Sequence, residues 1–518
     1  MISAGVKLSE LLVALSLATD LGLGQPFEHM LRSARISMRL GGRLGLGPRD
    51  LATLYDVSIL TYVGCPVYGN EAALLFGDDI DFRAGTYAVD LGGSSGRAYM
   101  LRRVGAHTPP LHRVRQAASL VATGGRGVVE QMASHCSAAG VLAERLGLSE
   151  DVQAGVAQSY ARWDGHGVPG DLAGDGLALV ARISHVADAC EVLQRTLGVG
   201  QAVEVVTARS GGHFDPEIVR AVRQDAAGLF TGIERDTVDE VLDAEPVAHP
   251  PLSEDGLDTA LEAIGDFGDL RCTFFAGHAR ATAALVTGAA AHLQLPPDET
   301  RLARRAALVR DVGRSGIPAS LWGKPGPLSD HEWERVRMHG YYTERIFSRP
   351  EPVRRIGLLA GTHHERIDGS GYHRGTTRPV LSVPARVLAA ADAYAAMLQP
   401  RPHRAARSPA EAAAVLRREV REGRLDPVAT DAVLAAAGAR GPGPSSARPH
   451  GLTVREAEVL TLLARGLPNK SIGRHLHITA KTVSNHVEHI YAKLGVSSRV
   501  AAALTAMQHD LLGPEPPS

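Results

Sequence analysis

The sequence predicts an all-α protein made of a duplicated helical domain followed by a smaller helical unit. Apolar residues recur at spacings of three and four, one set of landmark residues occurs twice at fixed separations, and about 65 residues beyond a Gly/Pro-rich break carry their own helix caps. At 518 residues the chain exceeds one core, so three domains are expected, at 1–243, 257–440 and 451–513.

Composition narrows the function classes. A hydrophobic content of 44% and a net charge of -1 describe a globular protein that is neither disordered nor basic overall. Any nucleic-acid site must therefore be local. Lysine occurs only at Lys7, Lys324, Lys470, Lys481 and Lys493, so arginine carries nearly all the positive charge, which reads as codon bias. Cys65, Cys136, Cys190 and Cys272 are scattered without a CxxC pair, arguing against a disulfide framework or structural zinc and fitting a reducing cytoplasm. No run of about 20 apolar residues and no signal peptide is present, so a cytoplasmic protein with no membrane span is expected.

In chain order, Leu11, Leu12 and Leu15, then Leu40, Leu44 and Leu46, mark the first amphipathic helices. His29 lies 33 residues before Tyr62, as His278 lies 33 before Asp311. His135 precedes Ser159 by 24, as His339 precedes His363, and Tyr160 precedes Asp188 by 28, as His364 precedes Asp392. Arg162-Trp163-Asp164-Gly165-His166-Gly167 answers Arg366-Ile367-Asp368-Gly369-Ser370-Gly371. The offset drops from 249 to 204 between the second and third landmarks, so the first repeat carries an insertion of 45 residues, placed at about 67–112. Its glycine and polar content suggests a lid or loop excursion. Residues 245–251 and 441–446, rich in proline and glycine, read as linkers.

The chemistry concentrates in the second repeat. His363-His364-Glu365-Arg366-Ile367-Asp368-Gly369-Ser370-Gly371-Tyr372-His373 joins two adjacent histidines to an acidic, glycine-punctuated turn, and His278, Asp311, His339 and Asp392 add further ligand types. Imidazole and carboxylate donors of this kind hold iron, manganese or zinc, and clustered sites bind phosphate esters and activate water.

These residues resemble the HD-GYP family of phosphohydrolases, helical metal enzymes acting on cyclic dinucleotides. The resemblance implies metal ligation by His278, Asp311, His339, His363, His364 and Asp392, with a divalent iron or manganese as cofactor. It implies catalytic roles for Asp311 and Arg314 if the site is active. The histidine expected before Asp311 is Arg310, whose guanidinium has no lone pair to give a metal and fixes a positive charge there. At least one metal position should be lost. Arg310 and Arg314 side by side would instead offer donor forks suited to phosphate oxygens. In the first repeat His29, His135 and Asp188 remain, but Thr61-Tyr62 and Ser159-Tyr160 replace four ligand positions, so no catalytic cluster is expected there.

Past the second linker, Thr453 and Glu456 form a capping box, Gly466 ends that helix, and a short helix from Asn469 leads through His477-Ile478 to Thr479, which caps a third. Val483, Val487, Ile490, Tyr491 and Leu494 are spaced to face a core, and Gly495 closes the helix. A helix-turn-helix would send residues 480–494 into the major groove. Lys470, Lys481, Thr482, Ser484, Asn485 and His486 are the candidate DNA contacts, with Glu488 and His489 also facing outward, and residues 452–510 carry a charge excess of +3. The stretch resembles the LuxR/FixJ/NarL DNA-binding domain, notably at Asn469-Lys470, Thr482-Val483, His486, Ile490-Tyr491 and Lys493-Leu494-Gly495-Val496. The resemblance implies a four-helix unit whose last helix dimerises through Ala501, Ala502, Leu504 and Leu511.

The expected protein is thus a transcriptional regulator, homodimeric on double-stranded DNA. Its HD-type helical domains would act as a sensory or interaction module, with a cyclic dinucleotide or other phosphorylated ligand as candidate effector. The alternative is a metal-dependent phosphodiesterase of such a phosphoester, coupled to DNA binding.

Overall fold

A computed structural model describes residues 5–67, 69–106, 108–123, 125–235, 237–349, 353–439, 449–509 and 511–512. The second linker and the polar tail lie outside the described residues. Every regular element among the described residues is a helix, so the fold is all-α. The chain divides into two compact units, Met1–Leu257 with Pro318–Ser320, and Asp258–Ile317 with Leu321–Ser518.

In the first unit the core runs through Ile36, Leu40, Ile183, Val186, Phe214 and Val222. These come from helices His29–Arg43, Leu179–Leu197 and Pro216–Gln224 and from the turn before the last of them. The Leu8–Leu23 helix is apolar and buried nearly all round, with Leu11 and Leu12 fully covered. Such a helix is held by burial on every side rather than by one amphipathic face.

The same order of helices recurs in the second unit. His278–His292, Pro297–Val309, Asp330–Ile346, Arg354–Ala360 and Val383–Met397 answer His29–Arg43, Pro48–Leu60, Arg126–Arg145, Glu150–Val156 and Leu179–Leu197. Two contacts not read from the sequence repeat as well. A Cβ on Gly313 would lie 2.2 Å from the His339 carbonyl oxygen, and one on Gly64 would lie 2.1 Å from that of His135. Only glycine permits this approach, which brings the segment carrying Asp311 against the helix carrying His339. Buried Asp269 accepts from the Ala279 amide at 2.8 Å, and Asp20 accepts from the Met30 amide at 2.9 Å, each capping the helix that begins with the early histidine.

The insertion differs from its expected form. Four helices, Gly69–Phe76, Asp79–Thr86, Ser94–Arg103 and Pro110–Ala122, occupy it and run past residue 112. Phe76, Phe82, Tyr99, Val104 and Val128 form a small core, with the Phe76 and Phe82 rings stacked at 3.7 Å. Helices of eight to thirteen residues leave too few turns for their apolar spacing to rise above the polar and glycine signal.

The C-terminal helices are Val454–Ala464, Asn469–His475, Ala480–Leu494 and Arg499–Gln508. Their core contains Leu460, Leu463, Ile472, Val483, Ile490 and Ala502. The Thr453/Glu456 box and the Thr479 cap form as expected, and Gly466 and Gly495 sit at φ 77° and 68° where the chain leaves its helices. One expectation is corrected: of the four residues assigned to a dimer face, Ala501, Ala502 and Leu504 are buried within the single chain, and Leu511 is half-buried against the same core.

Candidate functional site

The six predicted ligands of the second repeat converge. His278 opens its helix, Asp311 follows Pro297–Val309, His339 lies within Asp330–Ile346, His363 and His364 follow Arg354–Ala360, and Asp392 lies within Val383–Met397. His278, Asp311, His339, His363 and Asp392 are buried, and His364 is nearly so.

One half of the cluster fits a cation. His339 Nδ1 and His363 Nδ1 lie 2.5 and 2.8 Å from the carbonyls of Val336 and Ala360, which fixes their protons there and turns both Nε2 lone pairs inward. Those two Nε2 atoms are 3.1 Å apart and lie 3.8 and 3.5 Å from Asp311 Oδ1. Two lone pairs and a carboxylate oxygen facing one another across such distances make a donor set that a cation would fit, beside Arg314 Nη2, which lies 2.9 Å from the same Asp311 oxygen. Burial pulls His339 down to about 3 and His364 well below its ordinary value, so both are neutral donors.

The other half fits no second cation. Arg310 is fully buried, with Nε 2.7 Å from Asp392 Oδ1, Nη2 3.2 Å from Asp311 Oδ2, and Nη1 donating to the Ala307 carbonyl at 2.6 Å. His278 Nε2 shares this space, 3.3 Å from Asp392 and 3.9 Å from Asp311. Burial would raise both carboxyl groups, but Arg314 and Arg310 hold Asp311, and Arg310 and His278 hold Asp392, well below the carboxylate range. The guanidinium is thus the counter-cation of both acids.

Arg310 engages Asp392 through Nε and the Ala307 carbonyl through Nη1, and its Nη2 lies in ion-pair range of Asp311 without a hydrogen bond, which leaves less of its fork for a phosphate than the sequence suggests. Arg314 binds Asp311 through Nη2 at 2.9 Å and lies 3.9 Å over the Phe275 ring, and its Nε and Nη1 are buried without hydrogen-bond partners. Around the acidic turn, Glu365 accepts from the amides of Arg374 and Thr376 at 2.7 Å each, and the Tyr372 ring packs 4.7 Å from His364. Glu365 is a support residue that the sequence reading quoted but did not single out; its signal is a carboxylate wedged between the histidines and a glycine-rich turn.

In the first repeat the early histidine and the late aspartate are held in an ion-pair network. His29 Nε2 meets Asp188 at 2.9 Å and Nδ1 meets Glu191 at 2.6 Å, while Arg32 also binds Glu191, at 2.7 Å. Tyr87, from the insertion, donates to Asp188 at 3.2 Å. Both ring nitrogens of His29 are engaged, so these residues do not fit a metal. Burial disfavours the imidazolium, but Asp188 and Glu191 outweigh it and lift His29 to about 10.

His29→Ala is expected to destabilise the protein by about 3–5 kcal/mol, the cost of leaving buried carboxylates unpaired. The stabilisation from His29 is fully present below its ordinary 6.5 and fades as pH rises through about 10. Burial opposes ionisation of Glu191, yet His29 and its arginine partners hold it at about 2, so its share is present above 4.5 and lost as pH falls through about 2. Urea midpoints of the variant should fall furthest below the parent between pH 4.5 and 6.5; equal midpoints across that window would refute the network.

On the third C-terminal helix Lys481 and Asn485 are exposed, as is Lys470 on the helix before it. Thr482, Ser484 and His486 are half-buried: the Thr482 hydroxyl lies 2.8 Å from that of Thr479, and Ser484 accepts from Asn469 at 3.1 Å. Arg474, absent from the predicted contacts, is exposed beside Lys470. Two counted charges are taken up internally, Lys493 by Glu456 at 2.7 Å and Arg499 by the carbonyls of Leu463 and Leu467.

Comparisons with known proteins follow this division. The HD-domain family model matches residues 128–218 and 266–428, and that of bacterial regulatory proteins of the luxR family matches 450–506. The 3'3'-cGAMP-specific phosphodiesterase 3 of Vibrio cholerae is 30% identical over 404 residues, 77% of this chain and 88% of that protein. A cyclic di-GMP phosphodiesterase of Thermotoga maritima is 40% identical over 101 residues, 19% of this chain and 27% of that one. A crystal structure of a V. cholerae cyclic GMP-AMP-specific phosphodiesterase superposes with a TM-score of 0.59 at 27% identity, covering 84% of this chain and 99% of that one. Among the described residues no helix is long and apolar enough to cross a membrane.

Proposed function

This chain belongs to the HD-domain family and ends in a luxR-family regulatory domain, and from that footing we propose that it is a DNA-binding transcriptional regulator whose helical domains sense a ligand or partner. The observation that carries this is Arg310, whose guanidinium stands between Asp311 and Asp392 where a two-metal hydrolase needs a cation. His339, His363, His364 and Asp311 are the residues that would hold one divalent ion, iron or manganese. Such an ion supplies Lewis acidity toward a phosphate oxygen when bound.

Arg314, with two unpartnered nitrogens beside this donor set, is suited to bind a phosphate oxygen of a cyclic dinucleotide or another phosphorylated effector. Asp311 and Arg314 would be the residues nearest any residual chemistry. Lys470, Lys481 and Asn485 carry the direct DNA contacts, with Thr482, Ser484 and His486 setting the helix against the backbone. Binding as a homodimer requires a surface other than Ala501, Ala502 and Leu504. The proposed domains are 1–243, 257–440 and 451–513, and the proposed setting is the cytoplasm.

The second reading is hydrolysis of a cyclic dinucleotide, favoured by the intact His339/His363/Asp311 face and by what the relatives are named for. Duplex-DNA binding by fluorescence anisotropy, with metal content and linear-product formation measured on the same preparation, separates the two. The regulator reading expects salt-sensitive DNA binding, at most one metal per chain, and no turnover. Two metals with turnover of about 1 per second or faster would replace it with the enzyme reading.

A further inference from the structure

The first repeat holds an open-mouthed cavity of about 290 Å³, bordered on one side by Asp188 and Tyr87 of the ion-pair network. Phe76, Phe82, Met100 and Met132 line it from the insertion and the helix that follows, and Tyr62 and Tyr160, standing where the second repeat has ligands, line it from the domain body. A void of this size is at the lower end of small-molecule pockets and far above the gaps a packed core leaves.

Its polar lining is incompletely paired. His185 Nε2, His213 Nδ1 and Arg83 Nη2 are buried and have no hydrogen-bond partner, whereas buried polar atoms in folded proteins nearly always have one. Arg162 is neutralised by Asp90 at 2.5 Å and Asp164 at 2.8 Å. Among the described residues no carboxylate pairs directly with Arg209, although the charge of Asp90 reaches it; its Nη2 donates to the Tyr87 carbonyl at 3.2 Å. Burial lowers His185 to about 4 and His213 to about 3, so both rings are neutral. The Gln158 backbone beside His185 partly offsets the effect of burial, and His185 Nε2 has no hydrogen-bond partner among the described residues.

We propose that this cavity binds a planar aromatic acid, its anionic group on Arg209, its ring among Phe76, Phe82 and the tyrosines, and a ring N–H donated to His185 Nε2. The volume suits one fused ring with a short acidic arm. The site extends the sensory reading of the helical domains but stands apart from it, since it rests on the first repeat alone.

Isothermal titration of the full chain with indole-3-acetate, and with indole-3-acetamide as the uncharged counterpart, tests this. One site per chain is expected, with the acetamide and the Arg209→Met variant each weaker by about tenfold or more, the range of a lost charge-assisted bond. Arg209→Lys should recover much of the loss, and Met132→Trp, which fills the cavity, should abolish binding. Circular dichroism melting checks that each variant folds. No binding of indole-3-acetate, equal binding of the acetamide, or indifference to Arg209→Met would overturn the proposal. DNA affinity measured with and without indole-3-acetate separates the two claims: an unchanged value removes the sensing role while the pocket stands.

Discussion

Arg310→His is expected to raise the metal content of the protein from one divalent ion per chain to two, and to make its thermal stability depend on metal. In the parent, one guanidinium compensates Asp311 and Asp392 inside the protein. Removing it leaves two like charges buried together, a loss of about 3–5 kcal/mol when no cation replaces it. The new imidazole would stand with His278, Asp311 and Asp392, three donors that already lie within ligand distance of one another. A second ion could then take over the charge that Arg310 carries. At manganese about 100 times its dissociation constant the ion would return about 2.7 kcal/mol, so melting with and without manganese should diverge in the variant far more than in the parent. Asp311→Ala should lose metal in either background. Elemental analysis after dialysis reads the stoichiometry; two ions in the unmodified protein, or no gain in the variant, would show that Arg310 does not close the second position.

The other large effect is expected on DNA. Asn485→Ala should cost about 1–3 kcal/mol if its amide reads a base edge, and should relax preference at one position. Lys481→Ala should weaken binding to all sequences alike and lower the salt slope by about 1. Lys493→Ala makes the contrast. Its ammonium is bound to Glu456 at 2.7 Å and to the Gly451 carbonyl at 3.1 Å, so its loss should lower stability and leave the salt slope unchanged. Anisotropy titrations from low to physiological salt read all three; equal slopes for Lys481→Ala and the parent would remove Lys481 from the interface.

The sequence by itself determined the class of the fold, the duplication, the six candidate ligands that converge in the second repeat, the charge at position 310 and the capped C-terminal helices. Each is written locally or as a fixed spacing: helix caps act within one turn, and the landmark offsets survive because the two repeats place equivalent side chains on equivalent helices. Only the tertiary structure decided what the residues do to one another. It set Arg310 between Asp311 and Asp392 and so turned most of the fork that the sequence left free for phosphate onto internal partners. It joined His29 to Glu191, 162 residues apart, so that the ring nitrogens of the first repeat's early histidine are taken up by acids. It folded the insertion into helices whose short apolar stretches share a small core with the helix that follows, and it buried Ala501, Ala502 and Leu504, which the sequence assigned to a partner. An apolar or charged side chain records in the sequence that it needs a partner. Which partner it finds depends on contacts between segments far apart in the chain, and those exist only once the helices have packed.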